Sequence, residues 1–417
     1  MGSSDDQVAR DWRERTLAYV RAVNDFVARG RREGWQNVGE SPRDPRGDAL
    51  AGEVLRRVRE ANAVGRTHDL RRTLPPAHEP LVRFFDNRAR WVRELVWVDD
   101  ERVLATVGTT AEGPEVHRIH RSGEVAWMPP LVAVGADPTG RFLAFASAYD
   151  VEVRPLASAL DAEAGALPTF ELPPASATDG PFAHRVIPTP DGTQVVVVRD
   201  DGVFLCSAEP PRRLFPDDAP TTALAAIHAA LSPDGRFVAL GARDAQHELV
   251  ELASGEPVAR FGPMHARHAH HAGFSPDGLF AFFNACQHYD GVSVAAPLDT
   301  LVGLELPPFE DDPRFVILDA GCRVYASGFC DGRFVLGDAY GYLRQRGVDG
   351  SDGWELFCGS SVGAIAFSPD GSRLAVGTAA GAVHFFERGE PHPFQIGDGP
   401  FAESLRVYFW RDEILRW

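Results

Sequence analysis

Several groups able to bind a metal or move a proton crowd one stretch of the chain. His265, His268, His270 and His271 fall within seven residues, and His288 and Asp290 flank Tyr289 shortly afterwards. Neutral imidazole is a common zinc ligand and a carboxylate can complete its shell. His265, His268, His270, His288 and Asp290 are therefore the candidate metal-ligating set and the first place to look for a small-molecule site. The bland alternative is that these histidines hydrogen-bond the fold. Neither His-x-Glu-His nor Cys-x-x-Cys spacing accompanies them. Strand alternation puts the neighbours His270 and His271 on opposite faces. No hydrolase nucleophile elbow is read from the sequence, and a chain without lysine has no phosphate loop. The Asp-Gly pairs lack the alternating carboxylates of a calcium loop. The expectation is a non-enzyme without a cofactor.

The elements that must position these residues announce themselves through a recurring turn. Thr189-Pro190-Asp191-Gly192 returns as Ser232-Pro233-Asp234-Gly235, Ser275-Pro276-Asp277-Gly278 and Ser368-Pro369-Asp370-Gly371. Each copy precedes an apolar, strand-like run such as Phe237-Val238-Ala239-Leu240. Pro presets the first corner, Asp bonds local backbone and Gly takes the left-handed position, so each copy reads as a hairpin turn. Asp137-Pro138-Thr139-Gly140 is a further copy; Asp99-Asp100-Glu101 and Gly321-Cys322 are degenerate ones. The marker positions 101, 140, 192, 235, 278, 322 and 371 define seven units from about residue 88 onwards. Repeats of this period with four strands each are propeller blades. The predicted fold is all-β: a seven-bladed β-propeller of four-stranded antiparallel blades over 86–417, with an α-helical extension over 1–85. The closing segment Leu405–Trp410 is expected to pair with the first blade around Trp91–Val98, removing two sheet edges.

These turns resemble those of the WD-repeat family. Phe367-Ser368-Pro369-Asp370-Gly371-Ser372-Arg373-Leu374-Ala375-Val376-Gly377 is similar to a WD-repeat second strand with its entry turn. Ser122-Gly123-Glu124 and Ser254-Gly255-Glu256 resemble the turn between third and fourth strands. Asp201-Gly202, Asp290-Gly291 and Asp331-Gly332 resemble the turn between second and third. His265 lies nine residues before Phe274, the offset of the family's structural histidine. No Trp-Asp dipeptide closes a third strand, and Phe386-Glu387 is the nearest substitute. The resemblance covers about four fifths of the chain. It implies an interaction scaffold, an adaptor or complex subunit that binds another protein as a single ring. Arg344, Arg346 and Trp354, taken as loop residues, are the candidate protein-binding anchors. The alternative is a ligand- or metal-binding propeller, or a small enzyme, using the fifth-blade histidines.

In the extension, Ser4 and Gln7 have capping-box spacing. Val8, Trp12, Val20, Val23 and Val27 recur near helical period. Asp48 is the expected cap of a second helix carrying Leu50, Val54 and Val58, with Gly65 just past its end. A formal charge of −17 argues against nucleic acid as a partner. No run of 18 apolar residues points to a membrane span. Five scattered Cys and an acidic start predict a cytoplasmic protein with reduced thiols. All 42 basic residues are Arg. That bias fits a GC-rich genome and points to a bacterial source.

Overall fold

The repeated turn works through its hydroxyl. In the fourth blade Ser232 Oγ donates to Asp234 Oδ1 at 2.6 Å and accepts the Phe237 amide at 2.8 Å, while Gly235 sits at φ +74°. Ser275, Ser368 and Thr189 repeat the pattern with Asp277, Asp370 and Asp191. Ser or Thr, Asp and Gly are thus each needed by one hydrogen bond or one dihedral angle. The computed structural model describes residues 4–76, 81, 84, 88–160, 168–174, 182–218, 220–262, 266 and 268–417, with residues 4–6 described by backbone alone.

Seven antiparallel sheets form the blades of a propeller. Their first strands are Val92–Trp97, Ala133–Ala136, Arg185–Pro188, His228–Leu231, His268–Phe274, Val324–Cys330 and Val362–Phe367. These strands lie innermost and line a central channel. Each interface between blades is a run of buried aliphatic and Phe side chains, as where the first and last blades meet through Val92, Leu95, Val103, Ala375, Val383 and Phe385. In the fifth blade, the chain between Asp290–Pro297 and Val316–Asp319 detours to add Glu305–Leu306 parallel to the fourth blade's outer strand.

Two expectations about strand pairing are corrected. Asp331-Gly332 joins the first and second strands of the sixth blade, Val324–Cys330 and Arg333–Asp338, not the second and third. Cys330 pairs with Arg333, and both turn residues have positive φ, so this is a two-residue hairpin in place of the Pro-Asp-Gly turn. Gly321-Cys322 accordingly belongs to the link between blades. The second correction concerns ring closure. Phe401–Phe409 pairs with Ala382–Arg388 of its own blade and with Ile414–Arg416, and not with Val92–Trp97. The first blade's inner strand hydrogen-bonds Arg102–Val107 on one edge and faces the channel on the other. Residues 88–90 hydrogen-bond the closing segment and the residue after it, through Arg90 N to Phe409 O, Arg411 N to Arg88 O and the Ala89–Trp410 bridge, while His117 packs its ring on Phe409.

Among the described residues the extension forms three α-helices: α1 (Ser4–Glu33), α2 (Gly47–Ala63) and a short α3 (Thr67–Thr73) that the periodicity does not reveal. The Ser4 side chain lies outside the described residues. Asp48 lies inside the first turn of α2, where Arg46 occupies the cap position. At the other end Gly65, at φ +68°, receives the turn back, with Gly65 N on Asn62 O and Arg66 N on Ala61 O. Trp12, Val54, Leu55 and Val58 bury against Tyr408, Trp410, Leu415 and Trp417 of the seventh blade. Trp12 Nε1 donates to Pro75 O and Trp417 Nε1 to Leu74 O, so both indoles satisfy their donors while filling the seam. All five cysteines are buried and unpaired. Among the described residues no helix is long and apolar enough to cross a membrane.

Candidate binding site at the channel mouth

The predicted histidine set separates in space. His265 lies outside the described residues. His268 opens the inner strand of the fifth blade, its Nδ1 3.1 Å from Asp244 Oδ1. His288, at φ +56°, and Asp290 lie at the exposed second-to-third turn of that blade, where Asp290 accepts the Tyr340 hydroxyl at 3.3 Å. Among the described residues no three His, Cys, Asp or Glu side chains are grouped to hold a metal.

His270 and His271 do not take opposite faces. A bulge between Ala269 and His271 breaks the alternation, and both side chains reach the sixth blade's inner strand. His270 Nδ1 donates to Val324 O at 2.8 Å, and His271 Nε2 bonds Ser327 Oγ at 2.9 Å. Both line the mouth of the channel.

The other three named residues are not loop anchors. Arg344 and Arg346 lie in the strand Tyr342–Arg346, and Trp354 in Asp352–Phe357. Arg344 donates to Asp338 at 2.7 Å and Glu355 at 3.1 Å; Arg346 is buried and donates to Asp319 and Glu355, each at 3.0 Å. Trp354 packs edge-on against Phe401. Neighbouring carboxylates draw these arginines inward, so they hold the blade together.

One pentapeptide, Gly359-Ser360-Ser361-Val362-Gly363, has nucleophile-elbow spacing that the motif reading passed over. It runs between two strands rather than from strand to helix, and Ser361 Oγ donates to Ala339 O at 2.7 Å.

The channel has two chambers, about 380 and 300 Å³, which meet at Glu94, Arg185, Ser327 and Ile365. Arg185 pairs with Glu94 at 3.0 Å and pinches the waist. The smaller chamber is walled by Ile187, Leu231, Phe274, Phe329 and Phe367 and opens among the prolines of the repeated turns, Pro138, Pro233 and Pro276. The larger chamber is polar. Arg93, Arg185, Arg243 and Arg323 line it with His184, His228, His270 and His271, and Trp91 and Tyr325 supply flat walls.

The cations here are unevenly matched. His184 bonds Asp200, which also accepts the Thr110 hydroxyl at 3.2 Å. Arg323 donates to Tyr325 OH at 3.1 Å, and its guanidinium lies 5.8 Å from the centroids of both Tyr289 and Tyr325. Arg93 sits 6.0 Å from the Trp91 ring centroid, and burial holds its pKa below the usual range. Burial also pushes His228 down to about 4 and His270 to about 3, and it drives His271 well below its ordinary value. All three are neutral at pH 7. A carbonyl only accepts, so His228 Nδ1, 3.1 Å from Ala226 O, carries the proton and Nε2 presents a lone pair. Nε2 of His228, Nε1 of Trp91 and Nε of Arg323 are buried without a partner.

An aromatic ladder leads outward from this chamber. Trp91 meets Tyr325 edge-on at 5.3 Å, Tyr325 meets His270 at 5.0 Å, and Arg323 bridges Tyr325 to Tyr289. Tyr289 stands 6.2 Å from Tyr340, and the two are 61% and 47% exposed. Sequence reasoning missed most of the mouth, yet a signal was present. Arg185, His228 and His271 each lie four residues before the Thr or Ser of the repeated turn. Polar residues at one inner-strand position of three consecutive blades mark a polar channel wall.

The chain matches no protein-family model, and no curated protein matches it. Fold and mouth together define the class: a seven-bladed β-propeller with a cationic, aromatic-lined channel mouth.

Proposed function

We propose that the protein is a non-catalytic interaction scaffold, WD-repeat-like in its turns, that docks a partner protein on the face carrying the second-to-third turns. The carrying observation is the ladder from Tyr340 and Tyr289 through Arg323 to Tyr325 and Trp91. Tyr, Trp and Arg are the residues that dominate binding energy at protein interfaces, where rigid rings bury large area at little entropic cost. Tyr149, 81% exposed in the second-to-third turn of the second blade, adds a separate contact on the same face. His270 and His271, the groups with the most evident catalytic potential, are engaged in ties between blades.

The test is affinity purification of the full tagged chain from its source cells. A stoichiometric partner is expected with the parent chain and with Leu279→Ala, a change at an exposed residue in a first-to-second turn on the opposite face. Tyr289→Ala/Tyr340→Ala is expected to lose that partner by about tenfold or more. Undiminished recovery with the tyrosine variant, or the absence of any stoichiometric partner, overturns the reading.

A further inference from the structure

We propose that the larger chamber is a binding site for one small organic oxyanion, a carboxylate or phosphate monoester with a planar body, held by Arg93, Arg243 and Arg323. This goes beyond the docking reading: the two share Arg323, Tyr325 and Trp91, but docking also needs the exposed Tyr289 and Tyr340 of the rim, which the anion does not.

Charge matching comes first. The waist arginine, Arg185, is matched by Glu94. Arg93, Arg243 and Arg323 have no carboxylate within ion-pair distance among the described residues, although the chain carries 59 acidic side chains. Elsewhere in the ring, enclosed arginines such as Arg199 and Arg346 sit directly against Asp or Glu. Lacking a counter-ion is costly for Arg93, whose pKa burial lowers, while the half-buried Arg323 and the exposed Arg243 add positive charge at the same opening; an anion entering the chamber offsets that cost.

Unfilled hydrogen bonds give a second, independent line. Trp91 Nε1 and Arg323 Nε are donors without acceptors, and His228 Nε2 is an acceptor without a donor. His228 is only 7% exposed and lines this chamber. Buried polar atoms are ordinarily paired, so a cluster of orphans around one cavity marks where ligand atoms belong. Trp91 Nε1 and three guanidiniums, that of Arg323 with its free Nε among them, fit an oxyanion, and the lone pair on His228 fits a hydroxyl or N–H elsewhere on the ligand.

Shape narrows the class. About 380 Å³ is enough for a compact metabolite, and the Glu94–Arg185 pair narrows the floor. Trp91 and Tyr325 line the space with their rings in perpendicular contact, an aromatic corner that suits a planar ring.

Calorimetric titration of the full chain with benzoate, adenosine 5′-monophosphate and inorganic phosphate tests the proposal. Saturable binding of benzoate or the nucleotide is expected at one site per chain, tighter than inorganic phosphate. Benzoate ahead of the nucleotide assigns a carboxylate ligand, and the reverse order assigns a phosphate monoester. Arg243 is exposed and makes no side-chain hydrogen bond among the described residues, so Arg243→Gln is expected to leave the fold intact and to weaken binding about tenfold. Arg93→Met abolishes it. Absence of saturable binding by both organic probes, or equal affinity in parent and Arg243→Gln, overturns the proposal. Tyr289→Ala/Tyr340→Ala should retain anion binding, so failure here and failure of the docking reading are read by different variants.

Discussion

Two arginine clusters in this molecule have opposite characters. In the seam between the helical extension and the seventh blade, Glu403 accepts Arg406 at 2.8 and 2.9 Å and His384 Nδ1 at 2.8 Å, with Arg71 3.4 Å away. Arg71 also donates to the carbonyls of Glu403 and Trp417, each at 2.6 Å. The arginines hold Glu403 well below the usual carboxylate range despite its burial. At the channel mouth Arg93, Arg243 and Arg323 have aromatic neighbours or solvent instead of carboxylates. Matched charge ties a fold together, whereas unmatched charge waits for something outside it.

The sharpest way to break this contrast is in the seam. Glu403→Gln strands two guanidiniums beside a neutral amide and is expected to lower stability by about 3–5 kcal/mol. Urea denaturation reads the effect, and a loss below about 1 kcal/mol would show that the pairing contributes little there.

A smaller effect is expected on acidification, from the mouth histidines. His228 has a folded pKa of about 4, below its unfolded value near 6.5. Its contribution is complete above about pH 6.5 and is lost as pH falls toward 4, because the unfolded chain takes up a proton that the native state refuses. Each such histidine adds a slope of about 1.4 kcal/mol per pH unit across that window. His228→Asn should flatten the stability profile between pH 6 and 4.5 by that one-proton slope. An unchanged slope would mean that His228 is protonated in the native state.

The same contrast explains what the sequence made legible. Blade count and turn chemistry were readable because each repeated turn needs a hydroxyl, a carboxylate and a left-handed Gly within four residues. Local requirements leave local signatures. The sixth blade was misread because Asp331-Gly332 makes its hairpin by another two-residue route. Nothing local marks the bulge at His270, which exists only in register with Ala285 and Asn284. Arg344 and Arg346 passed for surface anchors because their partners, Asp319, Asp338 and Glu355, converge only once the strands are laid side by side. Leu405–Trp410 was correctly strand-like, but which edge it would take depended on the edge left free by Ala382–Arg388. For the mouth, the fourth position before the turn carried the signal in three blades, while Arg93, Arg323 and Trp91 follow no repeat.

The most direct measurement is equilibrium denaturation of Arg93→Met beside Glu403→Gln. Met is long enough to fill the place of the Arg93 stem beside the Trp91 ring, and it removes a half-buried cation that has no ion-pair partner among the described residues. The predicted result is a stability equal to or above that of the parent, within about 1 kcal/mol, against the large loss in the seam. A loss in Arg93→Met comparable to that of Glu403→Gln would contradict the division, making the mouth arginines part of what holds the ring together.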